Sequence, residues 1–306
     1  MKTCYNYMDF EYPEVDVLPQ QQTIAQSVTF QGRALHSGTT ATIKLSPLPP
    51  DSGICFVRSD LAVSPLTAGP GVVVDTRRCI AIGRDDWRIQ TIEHLMAALH
   101  GLGIDNLLVE VDGEELPNAG GCAEEYVRLL TSAGLVRQGV RRKIRRLTRP
   151  IWVEGLDEPR SYLLALPGEG LRITYCFTSD HAVTGNQFYQ YIHEPERFIE
   201  DIASARTIAF QGEIEFLRSQ GLGLGGDLES VVVVGEDSYQ NALRFPNEIV
   251  RHKILDIIGD LYLVGPFEAQ IIAIRSGHRL DLELARKLEA EFIRKGVEIE
   301  GGSCRD

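Results

Sequence analysis

The stretch RFPNEIVRHKILDIIGDLYLVG, residues 244–265, predicts a helix from about Asn247 to Tyr262, closed by Gly265 and followed by the apolar strand EAQIIAIRSG. The same order occurs once before in this 306-residue chain. TIEHLMAALHGLGIDN, residues 91–106, predicts a helix from roughly Ile89 to His100, apolar at Ile92, Leu95, Met96 and Leu99. Gly101 and Gly103 end it, and the strand NLLVEVDG follows. A histidine-bearing helix, a glycine and a strand thus recur about 160 residues apart, a hint of internal duplication at a period far beyond that of solenoid repeats.

Around these helices, residues 22–80 carry strand-like runs such as TATIKLSPL and GICFVR, broken by Gly and Pro. A further helix is expected near Ala123–Ala133. The basic stretch VRQGVRRKIRRLTRP follows and ends at Pro150, which puts a domain boundary near residue 145. Beyond it, IWVEG, YLLALPG and LRITYCF read as strands and EPERFIEDIASAR as a helical segment. The loop GLGLGG then precedes the apolar run SVVVVG. Strands with helices grouped on one face predict a layered α+β architecture. The division expected is an extension over residues 1–20 and two units over 21–144 and 145–306.

With 43% hydrophobic and 24% charged residues, the chain is of globular composition and long enough to bury a core without disulfides. A formal net charge of -12 excludes nucleic acid as the main partner. No run approaches the roughly 20 apolar residues of a membrane-spanning helix. The first twenty residues are acidic and lack an apolar core, so they read as a loosely docked extension and not as a secretory signal. Six cysteines scattered without C-x-x-C spacing point to a reducing, cytoplasmic setting and offer no metal site by spacing.

Three constellations can carry chemistry. His252 and Asp256 stand at i and i+4, one face of a helix, with Asp260 a turn further on. An isolated pair of this kind is more often a simple intrahelical hydrogen bond. Glu93 and His94 are adjacent, about 100° apart on a helix. Taken together, His94, His252 and Asp256 would supply two nitrogens and one oxygen to a catalytic zinc. Three protein ligands are the usual number where a fourth position is kept for water. Glu93 would stand beside that water as general base, although a helix glutamate is more often simply solvated. His278, in Ser276-Gly277-His278 at the end of an apolar strand, would face a crevice, although a lone histidine there is more often a surface residue. The arginine run 141–149 reads as a solvated linker ahead of a contact with a diphosphate or an anionic membrane surface.

The segments LHSGTTATIKL, TIEHLMAALHGLGIDN, SARTIAF, LGLGG, RFPNEIVRHKILDIIGDLYLVG and SGHRL, in this order over roughly residues 21–290, resemble the UDP-3-O-acyl-N-acetylglucosamine deacetylases of Gram-negative bacteria. The resemblance implies two similar domains, each a β-sheet layer packed on helices in a β-α-α-β sandwich, with the active site in the cleft between them. It implies hydrolysis of the N-acetyl amide of UDP-3-O-(3-hydroxyacyl)-N-acetylglucosamine to a free amine and acetate, the committed step of lipid A biosynthesis; apart from the resemblance, a monomer is expected. By motif, His94, His252 and Asp256 match the zinc ligands and Glu93 the general base. His278 matches the residue taken as general acid or charge stabiliser, and Asp260 its partner. Thr207 matches the hydroxyl that helps hold the oxyanion, and Lys253 a cation lining the substrate site. Ile208, Ile214, Gly223 and Gly226 fall where the family lines its acyl-chain passage.

The chain also departs from that pattern. Where a Met-Asp-Gly-Ser turn is usual it has Asn118-Ala119-Gly120-Gly121-Cys122, so that Gly120 and Cys122 replace the Asp and Ser. Thr178-Ser179-Asp180-His181-Ala182 keeps a histidine but loses a proline, and Asp281 replaces a usual asparagine. Two other readings therefore stay open: a non-catalytic paralogue that binds the nucleotide sugar or its acyl chain, and a zinc amidohydrolase acting on another N-acetyl sugar.

Overall fold

The computed structural model describes residues 19–156 and 159–301. All but the last two positions of the extension expected over residues 1–20 lie outside the described residues, and Gln20 opens the strand Gln20–Ile24. The fold is mixed α+β, with several sheets and the helices α1 (Glu93–Leu102), α2 (Glu124–Ser132), α3 (Pro195–Asp201), α4 (Gln211–Ser219), α5 (Glu248–Leu261) and α6 (His278–Gly301). No helix among the described residues is long and apolar enough to cross a membrane.

Two sheets carry the framework. One runs Val28–Arg33, Thr40–Pro47, Leu107–Val111, Ile54–Arg58, Leu66–Thr67 in space. The other runs Ile151–Gly155, Ser161–Leu166, Phe267–Ile274, Leu171–Phe177, Gln187–Ile192, with Arg145–Arg146 pairing alongside Phe267–Ile274. In chain order both read first, second, fifth, third, fourth. In both, the fifth and third strands are the parallel pair, Leu107–Val111 with Ile54–Arg58 and Phe267–Ile274 with Leu171–Phe177. The recurrence hinted at by the two histidine-bearing helices is therefore a recurrence of topology. Alternation sets the inward faces: Ala41, Ile43 and Leu45 of one strand, Ala269, Ile271 and Ala273 of another, are buried at period two.

Helices α1 and α5 pack on each other, and a single hydrophobic core runs from Phe56 and Val109 through Leu95, Leu99, Ile254 and Ile258 to Ile173 and Ile271. Every residue of α1 is buried. The two helices meet so closely at Gly259 that a Cβ placed there would stand 2.1 Å from the Glu93 carbonyl oxygen. Gly259→Ala is accordingly expected to lower stability by about 1–3 kcal/mol through overpacking. A urea unfolding midpoint equal to that of the parent would contradict this contact.

Several boundaries differ from the sequence reading. The first helix begins at Glu93, not near Ile89, because Trp87–Gln90 is a strand paired with Ala81–Arg84 and Thr91 takes a left-handed φ of 61°. The basic stretch is mostly exposed, as expected, yet it is no plain linker. Leu135–Arg141 pairs with Gln20–Ile24, Arg142 Nε reaches Asp105 at 2.7 Å, and Arg145 Nη1 donates to the Val264 carbonyl at 2.6 Å. His278 does not end a strand; it opens α6, past the end of Phe267–Ile274.

Candidate active site

Both long buried helices point chemistry at one cavity of about 420 Å³, lined by Glu93, His94, Thr207, His252, Asp256 and His278 among others. Glu93 and His94 form the first turn of α1 and are each 3% exposed. The strained turn before them is pinned by Glu115, a buried carboxylate that accepts from Thr91 Oγ1 at 3.1 Å and from the amides of His36 and Ser37 at 2.7 and 2.8 Å. Glu93 Oε2 accepts the Ile80 amide at 2.9 Å. Burial, only partly offset by the nearby His278, pushes the Glu93 carboxyl up to about 8.

From α5, His252 Nδ1 donates to the Ala205 carbonyl at 3.0 Å, which leaves Nε2 as the lone-pair nitrogen. That Nε2 lies 3.4 Å from Asp256 Oδ1. Asp256 Oδ2 accepts from Lys253 Nζ at 2.8 Å, while the buried Oδ1 has no hydrogen-bond partner among the described residues. The rings of His94 and His252 stand edge to face, 5.2 Å between centroids. His94, His252 and Asp256 each offer one ligand atom within 4.8 Å of the others. Burial holds His94 down to about 3 and His252 below its usual range, so both imidazoles are neutral and able to donate lone pairs. Against the cost of burial, the Lys253 ammonium bonded to Oδ2 keeps Asp256 ionised. An orphaned carboxylate oxygen facing two neutral imidazoles is a donor set for one divalent cation.

His278 faces the same cavity, and its Nδ1 is bonded to Asp260 Oδ2 at 2.7 Å. Burial opposes the imidazolium, but Asp260 and then Asp256 and Glu93 raise it to about 10. Thr207, Ile208 and Ala209 form a wall common to this cavity and a second, apolar one of about 400 Å³. Ile208, Ile214, Gly223 and Gly226 all line the second cavity, together with Leu217 and Val231.

A family model described as UDP-3-O-acyl N-acetylglycosamine deacetylase matches residues 21–290. The chain belongs to that deacetylase family. Among its curated relatives is a UDP-3-O-acyl-N-acetylglucosamine deacetylase of Nautilia profundicola, 39% identical over 274 residues, which span 89% of this chain and 92% of the relative. A second, of Citrifermentans bemidjiense, is 41% identical over 88% of each chain. A third, of a Nostoc species, is 38% identical over 89% of this chain and 99% of its own length.

For this member of the deacetylase family, the structure gathers Glu93, His94, Thr207, His252, Lys253, Asp256 and His278 around one cavity and sets Asp260 behind His278. Sequence reasoning missed Glu115 and His36. Glu115 belongs to a loop without periodicity, and its partners lie 24, 78 and 79 positions away. The His36 imidazole, 7% exposed on the wall of the apolar cavity, has neither ring nitrogen hydrogen-bonded among the described residues. The quoted motif LHSG contains it, but a single loop histidine gives no spacing signal.

Proposed function

We propose that the chain hydrolyses the N-acetyl amide of UDP-3-O-(3-hydroxyacyl)-N-acetylglucosamine, releasing acetate and the free amine, and so catalyses the committed step of lipid A biosynthesis. The observation that carries this reading is the shared wall. A divalent-cation donor set and an apolar passage meet at Thr207 and Ile208, as a substrate with both an amide to cleave and a fatty chain to house requires. A plain N-acetyl sugar would leave the passage unused.

His94, His252 and Asp256 would hold one zinc ion, which supplies Lewis-acid polarisation of the amide carbonyl and lowers the pKa of water. Glu93 takes the proton of the attacking water as its oxygen bonds to the acetyl carbon. The Thr207 hydroxyl donates to the oxyanion that develops, and Lys253, lining the same cavity, lends positive charge. As the carbon–nitrogen bond breaks, His278 gives its proton to the leaving amine, and Asp260 holds the imidazolium charged and oriented. Units over 21–144 and 145–306, with α1 and α5 as the facing inner layers between two outer sheets, describe the architecture that builds this cleft. The free cysteines among the described residues, Cys55, Cys79, Cys122 and Cys176, suit a cytoplasmic setting, and the site needs no second copy of the chain.

Metal analysis tests the ligand set. The intact protein is expected to retain about one zinc per chain after dialysis, and His252→Ala well below that, because it removes one of three protein ligands. Unchanged zinc in the alanine variant would overturn the assignment.

A further inference from the structure

Asp281 stands in the first turn of α6, three residues beyond His278, and is 1% exposed. Asp260, His278 and Asp281 each bring one atom to within 4.8 Å of the others. One oxygen of Asp260 is bonded to His278 Nδ1. Its other oxygen and both oxygens of Asp281 are buried without a hydrogen-bond partner among the described residues. Two buried carboxyls at this separation cannot both carry charge cheaply, and a proton held between them relieves the repulsion. It also turns one orphaned acceptor oxygen into a donor.

We propose that Asp260 and Asp281 share one proton behind the imidazole of His278, making Asp281 a second, positioning carboxyl for that histidine. The inference rests on the reading of His278 as proton donor to the leaving amine. The groups around Asp260, His278 and Asp281 are Lys253 and Asp256 from α5, Glu93 and His94 from α1, Tyr175 from Leu171–Phe177, His36, and the Ser276 hydroxyl beside Asp281. After the His278 imidazolium, the next cation near Asp281 is Lys253, but its Nζ is bonded to Asp256 Oδ2. The Tyr175 hydroxyl is committed to the Ser276 carbonyl at 2.6 Å. Burial and then the charge of Asp260 push the Asp281 carboxyl up to about 8. The positive end of α6 works the other way and keeps that proton exchangeable. Near neutral pH the pair carries one negative charge, matched to one imidazolium. At higher pH Asp281 ionises and adds a second charge that holds the proton on His278.

The test is a pH titration, by NMR, of the full-length zinc-loaded protein carrying 13C-labelled aspartate and 15N-labelled histidine. One carboxyl resonance is expected to titrate above about pH 7, far from the ordinary aspartate range, and to vanish in Asp281→Asn. In that nearly isosteric variant the His278 imidazole is expected to lose its proton about 1 pH unit or more earlier, with the basic limb of kcat/KM moving the same way. A wild-type protein in which no carboxyl titrates above about pH 6 overturns the proposal, whether or not the variant folds. So does a His278 titration identical in both proteins. The titration needs no turnover: an inactive protein with the expected titration would sink the proposed function and leave this inference standing.

Discussion

Glu93→Gln is expected to lower kcat by about 10²–10⁴-fold, the range of a lost general base, while zinc content and fold are retained. Glutamine keeps the shape of the side chain and a carbonyl oxygen for the Ile80 amide now bound by Glu93 Oε2. It loses only the ability to take a proton. The side chain is walled in by Ile80 on one side and opens on the cavity that His94, His252 and Asp256 share, where the other lining glutamate, Glu213, is paired with Arg78. Asp256 is held by Lys253, and Asp260 by His278. Metal analysis alongside steady-state kinetics separates the outcomes. A variant that loses its zinc would make Glu93 a ligand; one that keeps both zinc and full kcat would leave the reaction without its base.

The second large effect concerns stability. Glu248, the first residue of α5, is fully buried and accepts from the Arg206 amide at 3.0 Å, Arg206 Nε at 2.9 Å, Arg206 Nη2 at 3.2 Å and the Arg244 amide at 2.6 Å. Glu248→Ala leaves the 4%-exposed Arg206 guanidinium without its counter-ion and is expected to cost about 3–5 kcal/mol. Thr207 follows Arg206 directly, and His252 lies one turn along α5, so the loss loosens both walls of the cavity. The pH dependence has a definite sign. Burial disfavours the charge, but the Arg206 bonds prevail and hold the Glu248 carboxyl below its ordinary value of 4.5. Its contribution is therefore complete above that pH and fades as pH falls through the lower, folded-state value. Urea unfolding at neutral and acid pH should show the parent losing part of its advantage over Glu248→Gln on acidification. An advantage independent of pH would contradict the ion pair.

How far the sequence carried depended on whether a feature was local. α5 was legible almost to the residue, Glu248–Leu261 against an expected Asn247–Tyr262, because its apolar periodicity and closing glycine lie within one window. α1 was placed too early, since the left-handed Thr91 that breaks strand from helix is enforced by Glu115, a tertiary contact. α4 and α6 were not foreseen. α4 buries none of its residues. Within the site, intrahelical spacing offered only ambiguous pairs. The order of motifs along the family framework joined them, and the geometry adds the contacts that spacing cannot encode, such as His252 on the Ala205 carbonyl and His278 on Asp260.

The altered turn at 118–122 has a physical account of its own. Gly121 has a φ of 69°, and a Cβ there would stand 1.8 Å from the Ser230 carbonyl oxygen, so glycine is required by both backbone and space. Cys122 is buried against Arg244, whose Nη1 lies 3.5 Å from its sulfur. Asn118, Ala119, Gly120 and Cys122 line a cavity whose lining does not include His94, His252 or Asp256.

The central claim is that one cation site and one apolar passage act on a single substrate. The measurement that addresses it is turnover by the zinc-loaded protein of UDP-3-O-(3-hydroxyacyl)-N-acetylglucosamine over a series of acyl lengths, beside the same sugar without the acyl chain, with amine and acetate both quantified. Equal amounts of amine and acetate from the acylated sugar, with kcat/KM falling sharply when the chain is removed, is the predicted result. No acetate from any acyl length despite bound zinc, or equal turnover of the unacylated sugar, would contradict it.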